Sequence, residues 1–146
     1  MAEINEGGCV CGAVRYRVHG KPVVTLVCHC RFCQRRLGTA CATLAYFVHA
    51  NVELIQGSLT ESEHRSDETG RWQRMHFCSR CGTTVTHIAE VRPGMKGVAI
   101  GTLDDPDWLS IDRHIWVQSK RPWLSLPKDV SVFMRGSAGT GGQMPE

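Results

Sequence analysis

The sequence predicts an all-β fold of short strands, on three observations. Apolar residues alternate with arginines at Val14, Tyr16 and Val18, the period of two that is typical of a half-buried strand. Short β-branched runs recur along the chain, and Gly, Pro, Asn and Asp separate them at close intervals. On this pattern, strands are predicted around 14–18 and at 23–28, 42–47, 51–57, 82–88, 97–103 and 114–119.

Little helix is expected. One short helix is predicted after Cys33, through the sequence QRRLG, with Gly38 at its end. A second short turn is expected at 104–109, where Asp105-Pro106 suits turn initiation. Residues 58–71 are polar and hold few apolar anchors, which predicts an exposed loop or the end of a hairpin.

Composition predicts one globular domain. The chain has 146 residues, of which 42% are hydrophobic and 21% charged, a balance that argues against wholesale disorder. We expect a single β domain over 1–135, followed by a flexible, glycine-rich tail over 136–146.

Charge and hydropathy limit the partners. The net charge is +3 and no basic tract occurs, which gives no electrostatic case for nucleic acid. No apolar run approaches the ~18–20 residues that span a bilayer, so no membrane association is expected. The first residues have neither the basic nor the apolar region of a secretory signal, which predicts a cytoplasmic location.

The cysteines carry the strongest functional indication. Eight occur, and seven of them fall into three motifs: C-x-C at Cys9 and Cys11, C-x-C-x-x-C at Cys28, Cys30 and Cys33, and C-x-x-C at Cys78 and Cys81. Cytosolic thiols stay reduced, so clustered cysteines there tend to be metal ligands or catalysts.

The spacing of these motifs suits a tetrahedral ion. Residues i and i+2 of an extended segment point to one face, and C-x-x-C in a tight turn brings two sulfurs round one ion. One C-x-C plus one C-x-x-C completes four ligands, whereas C-x-C-x-x-C supplies three and leaves a position open. Two alternatives remain: Cys30 and Cys33 could join Cys78 and Cys81 as a zinc ribbon across 44 intervening residues, or the thiolates could hold an iron–sulfur cluster.

The chain resembles the family of glutathione-dependent formaldehyde-activating enzymes, which includes a centromere-associated branch. Five segments carry the resemblance: GGCVCGAVRY at 7–16, CHCRFCQRRLG at 28–38, FCSRCGTTV at 77–85, GTLDDP at 101–106 and HIWVQSKRPWLSL at 114–126. The resemblance implies a compact β-tent of short antiparallel sheets organised around two Zn²⁺ sites. It implies a structural zinc on Cys9, Cys11, Cys78 and Cys81, and a catalytic zinc on Cys28, Cys30 and Cys33.

The family's namesake reaction joins formaldehyde to the thiol of glutathione, and its reverse is a carbon–sulfur lyase reaction. The expected partner is therefore a small thiol or thiol adduct, with a homo-oligomer possible. Arg31, Arg35 and Arg36 flank the three-cysteine motif and are candidates to bind the carboxylates of glutathione, the alternative being solvated surface charges.

Two other functions compete with the enzyme. One is a non-enzymatic zinc-binding interaction module, and the other is a metal carrier or redox sensor that uses the thiolates of the middle motif.

The remaining candidate residues are expected to be structural. Cys41 is expected to be a small buried residue, His29 to point away from its neighbouring cysteines, and His114 to serve the fold more than a pocket. The residues expected in the core or a pocket wall are Trp108, Trp116 and Trp123.

Overall fold

The computed structural model describes residues 3–137 and divides them between two compact units. The first unit contains the chain up to Val23 and then Ala45–Trp108, and the second contains Val24–Leu44 and the chain from Leu109 onward. In chain order the elements are β1 (Ile4–Gly8), β2 (Arg15–His19), β3 (Val24–Cys28), α1 (Arg31–Leu37), β4 (Ala42–Val48), β5 (Val52–Gln56), β6 (Thr60–Arg65), β7 (Trp72–Phe77), β8 (Thr84–Ala89), β9 (Met95–Ala99), β10 (Arg113–Ile115) and β11 (Ser131–Val132).

The first unit is antiparallel wherever its strand registers are defined. β1, β2 and β5 form one three-stranded sheet in that order. β9, β8, β7 and β6 lie side by side in a second sheet, with hairpins joining consecutive strands. Its core contains Tyr16, Val18, Phe47, Val85 and Val98, all of them almost fully buried.

The second unit contains the chain's one α-helix among the described residues. β10 lies between β3 and β11 and pairs with both in parallel. All five residues of β3 are buried, which fits a central strand that is covered on both faces.

The all-β prediction is confirmed, and the strands around 14–18 and at 23–28, 42–47, 51–57 and 82–88 are present. Two predicted strands extend too far, since residues 100–102 and 117–119 form 3₁₀ turns. The prediction also missed β1 and β7, because INEGG and WQRMHF lack the apolar alternation that marks a strand. The polar stretch at 58–71 contains β6 and the turn into β7, as expected of a hairpin end.

Helix α1 begins two residues before Cys33, and Gly38 ends it as predicted. Its start is fixed by Cys30, whose sulfur accepts a hydrogen bond from the backbone N–H of Cys33 at 3.3 Å in the manner of an N-cap. At the other end of the helix, the backbone N–H of Gly38 donates a hydrogen bond to the carbonyl of Gln34. No helix in residues 3–137 is both long and apolar enough to cross a bilayer.

The structure corrects the expectation for Trp123 and describes only the first two residues of the predicted tail. Trp123 is 71% exposed, so its placement in the core or a pocket wall is wrong. Residues 138–146 of the predicted tail lie outside the described residues. Ser137, its last described residue, is 1% exposed, and its hydroxyl lies 3.3 Å from the guanidinium of Arg113.

Gly7 lies at a close backbone approach in the first unit. A Cβ at this position would lie 2.4 Å from the carbonyl oxygen of Thr102 and 2.6 Å from the hydroxyl of Tyr16. The Tyr16 hydroxyl is fixed there by the hydroxyl of Thr102, 2.8 Å away.

We therefore expect Gly7→Ala to destabilise the protein by about 1–3 kcal/mol, the usual cost of overpacking a well-packed site. Gly101→Ala is the matched control, because a Cβ there would meet nothing within 4 Å. Urea unfolding followed by circular dichroism measures both variants. Equal midpoints for the two would contradict the packing argument.

Candidate metal centres

Four cysteines of the first unit come together from two turns. Cys9 and Cys11 lie in the turn between β1 and β2, and Cys78 and Cys81 lie in the turn between β7 and β8. The turns have a shared construction: the N–H of the glycine after the second cysteine bonds back to the carbonyl of the first, Gly12 to Cys9 at 3.1 Å and Gly82 to Cys78 at 2.7 Å.

Both glycines have φ of 80°, a left-handed conformation that a residue with a Cβ adopts only at a cost. Thr83 joins the two turns, because its hydroxyl accepts a hydrogen bond from the N–H of Val10 at 3.2 Å. The predicted C-x-C and C-x-x-C pairs thus converge, and the sequence analysis missed Thr83 as their bridge, although it directly follows the C-x-x-C-G motif.

The four sulfurs have the spacing of a tetrahedral thiolate site. They lie within 4.8 Å of one another, with Cys9 Sγ to Cys11 Sγ at 3.6 Å and Cys11 Sγ to Cys78 Sγ at 3.8 Å. A tetrahedral ion with metal–sulfur distances of about 2.3 Å requires sulfur–sulfur edges of about 3.8 Å. This cluster could therefore hold a metal ion with all four positions filled by protein.

The thiols of this first cluster influence one another's ionisation. The pKa of Cys81 is lowered to about 5 because the hydroxyl and backbone N–H of Thr83 contact its sulfur. At Cys11 the backbone N–H of Ala13 acts to lower the pKa, but burial and the neighbouring sulfurs prevail and raise it to about 11. A divalent cation would remove this competition, since thiols coordinate as thiolates.

The second cluster lies where β3 passes into α1. Cys28 ends the strand, Cys30 caps the helix, and Cys33 lies in the first helical turn. Their three sulfurs also lie within 4.8 Å of one another, and no His, Asp, Glu or further Cys of residues 3–137 joins them as a fourth ligand. Because the ligands are close in sequence, this cluster depends on one strand-to-helix junction.

Charge in this cluster is concentrated on its middle cysteine. The pKa of Cys30 is lowered to about 3, because the thiols of Cys28 and Cys33 hydrogen-bond to its sulfur. The pKa values of Cys28 and Cys33 are raised in return. Cys28 and Cys33 are buried and Cys30 is partly exposed, so the residue with the lowered pKa is also the most exposed of the three.

Buried polar contacts hold the junction in place. The Gln34 side-chain amide donates to the carbonyls of His29 at 2.7 Å and Ser119 at 2.9 Å. His29 is 2% exposed, and its Nε2 lies 2.8 Å from Nδ1 of His114. Both histidines thus serve the packing of the second unit, as expected. The sequence analysis did not identify Gln34, although it lies one turn after Cys30 on the predicted helix.

The arginines expected to bind substrate lie on the same helix. Arg31 and Arg35 are exposed and Arg36 is half-buried. Nη1 of Arg31 donates to Oε1 of Gln34 at 2.5 Å, which couples that guanidinium to the junction. Their role in binding glutathione stays a prediction. Cys41 belongs to neither cluster, but it is half-buried, so the prediction of a buried residue is only partly met. Burial raises the pKa of its thiol.

Comparison with known proteins gives three findings. The model of the family described as "Glutathione-dependent formaldehyde-activating enzyme" matches residues 4–119. A protein of Halomonas elongata that is named for glutathione-dependent formaldehyde activation is 25% identical over 125 residues, covering 83% of this chain and 80% of its own. A crystal structure of a Rhodobacter sphaeroides protein superposes with a TM-score of 0.55 at 25% identity, covering 73% of this chain and 96% of its own.

We expect Cys78→Ser to unfold or aggregate the protein, because a structural metal contributes on the order of 10 kcal/mol to the folding of small metal-binding domains. Circular dichroism and elemental analysis of the purified variant measure fold and metal content together. Cys41→Ser is the matched control, since Cys41 lies outside both clusters. A Cys78→Ser protein that melts within a few degrees of this control would overturn the structural role of the four-cysteine cluster.

Proposed function

This chain belongs to the family of glutathione-dependent formaldehyde-activating enzymes, and from that membership we propose that it is a zinc-dependent enzyme of thiol–aldehyde adducts. Its substrate class would be S-(hydroxymethyl)glutathione or a related adduct of a small thiol, in the cytoplasm where thiols stay reduced. The observation that carries the proposal is the cluster of Cys28, Cys30 and Cys33, which supplies three sulfurs and no fourth ligand from the described residues.

Zinc suits both clusters. All-sulfur tetrahedral sets favour it, and structural zinc sites are closed whereas catalytic ones keep one position open. We assign the structural ion to Cys9, Cys11, Cys78 and Cys81, and the catalytic ion to the three-cysteine cluster. When bound there, zinc would stabilise a thiolate at neutral pH and accept it again as a leaving group.

The reaction balances without an oxidant or reductant. In the synthetic direction the thiol sulfur bonds to the formaldehyde carbon, the carbon–oxygen π bond breaks, and the thiol proton ends on the new hydroxyl. In the lyase direction the carbon–sulfur bond breaks and the hydroxyl proton returns to sulfur.

The chain's own contribution is to fix the geometry of the site. Cys30 is the most exposed residue of the cluster, while Cys28 and Cys33 are buried. Gln34 holds the backbone between Cys28 and Cys30 through the carbonyl of His29. Such positioning of the reacting thiol beside the aldehyde supplies much of the rate gain in reactions of this kind.

The cationic face of α1 would orient the substrate. Glutathione carries two carboxylates, and Arg31, Arg35 and Arg36 offer guanidinium groups on the helix that contains Cys33. Guanidinium–carboxylate pairs are often bidentate, which sets orientation as well as affinity.

We expect the protein to accelerate exchange between formaldehyde, glutathione and their adduct, and Cys30→Ser to abolish this while keeping the fold. Exchange spectroscopy by NMR measures the rate, and elemental analysis is expected to show the loss of one zinc per chain. Cys41→Ser should match the wild type in both. If Cys30→Ser unfolds the protein, the division into structural and catalytic clusters is wrong.

If the protein with both zinc ions bound accelerates adduct exchange for none of a panel of thiols, the proposal that it is an enzyme is rejected. That result would favour the interaction module of the same family. Zinc at about two ions per chain agrees with the proposal, and iron would overturn it.

We expect Arg35→Gln to raise KM for the glutathione adduct about two- to fivefold with kcat nearly unchanged, because an exposed ion pair is worth about 0.2–1 kcal/mol. Steady-state kinetics measures both constants. Arg65→Gln, a charge change in β6 of the other unit, is the matched control. Equal KM values for the two variants would remove Arg35 from substrate binding.

A further inference from the structure

The first unit contains a cavity that takes no part in either metal cluster. Its volume is about 140 Å³, and residues from β2, β5, β7, β8 and β9 line it together with the loop after β5. Most of the lining surface is apolar, supplied by Val52, Leu54, Leu59 and Ile88. Leu54 is 46% exposed, so part of this apolar wall remains accessible to a ligand.

The other polar groups of the lining already have hydrogen-bond partners. The hydroxyl of Tyr16 lies 2.8 Å from that of Thr102. His76 uses both ring nitrogens, with Nδ1 3.1 Å from the hydroxyl of Thr86 and Nε2 3.0 Å from a carboxylate oxygen of Glu61. These groups therefore have little hydrogen-bonding capacity left for a ligand.

Lys96 is the exception. It lies half-buried in the lining, and within residues 3–137 its ammonium has neither a hydrogen bond nor an ion pair. Burial lowers the pKa of Lys96, and the pKa of neighbouring His49 is lowered by burial and then by the charges of Lys96 and His76. A partly desolvated cation without a counter-charge is unfavourable, and a bound anion would relieve this cost.

We propose that this cavity binds a small aliphatic monocarboxylate, with the carboxylate on Nζ of Lys96 and the tail against Val52, Leu54, Leu59 and Ile88. A single water needs about 10–15 Å³ of cavity volume measured in this way, so the cavity has room for an ion the size of butyrate or valerate. One unpaired cation matches one negative charge, and the apolar walls match an aliphatic tail.

Two other ligand classes fit less well. Phosphate would bring more charge than one ammonium balances, and its remaining oxygens would face the apolar wall. A neutral alcohol would bury its tail equally well but leave the ammonium without a counter-charge. The alternative without a ligand is that the methylene groups of Lys96 only cover apolar surface while its ammonium stays in water.

The test titrates sodium valerate into the zinc-loaded, full-length protein and follows backbone amide shifts by NMR. We expect saturable shifts of residues that line the cavity, and Lys96→Met to weaken binding about tenfold or more, because a hydrogen bond to a charged group is worth about 1.5–3 kcal/mol. Lys96→Arg keeps the charge and should retain binding. Lys21→Met, which removes an exposed cation outside the cavity lining, should bind as the wild type does.

Matched ligands separate the contributions of head and tail. Pentan-1-ol has the tail without the charge, and phosphate has the charge without the tail, so both are expected to bind at least tenfold more weakly than valerate. The proposal fails if wild-type shifts do not saturate, if Lys96→Met binds like the wild type, or if either matched ligand binds as tightly as valerate. Metal content and adduct exchange are measured in the same samples, so a failure here is independent of the proposed enzyme.

Discussion

Seven cysteine sulfurs gather into two groups whose members lie within 4.8 Å of one another. Two thiolates about 4 Å apart repel by about 4 kcal/mol at an effective dielectric constant of 20. Protons or a cation must therefore balance the charge. In the cluster of Cys28, Cys30 and Cys33, the raised pKa values of the two buried thiols show that protons can offset this repulsion. One divalent ion in each cluster would offset it for all of the thiolates in that cluster.

The two clusters differ in how many separate segments of the chain form them. The four-cysteine cluster is built from two glycine-containing turns, β1–β2 and β7–β8, which Thr83 bridges. An ion bound there would hold together parts of the first unit that are 67 residues apart in sequence. The three-cysteine cluster of Cys28, Cys30 and Cys33 is built only from the end of β3 and the start of α1. Under the proposed function, losing the ion from the four-cysteine cluster would destabilise the fold, whereas losing the ion from the three-cysteine cluster would abolish the reaction.

Several buried polar side chains are held by hydrogen bonds within their own unit. Gln34, His29 and His114 hold the β3–α1 junction, and each makes at least one short hydrogen bond inside the second unit. In the first unit, Tyr16 and His76 are satisfied in the same way. The ammonium of Lys96 has neither a hydrogen bond nor an ion pair within residues 3–137, so a bound anion would supply the partner that it lacks.

The sequence by itself determined the short strands, the helix ending at Gly38 and the division of the cysteines into motifs, because alternation, caps and ligand spacing act over a few residues. Those motifs also carried the family resemblance. The spacing by itself left two groupings of the cysteines open, and the tertiary structure brought Cys9 and Cys11 to Cys78 and Cys81, as the resemblance implied. Only the tertiary structure set β10 parallel to β3 and joined His29 to His114 across 85 residues. It also supplied β1, β7 and the Lys96 cavity, because strand pairing over long separations decides which side chains meet and leaves no local pattern to detect.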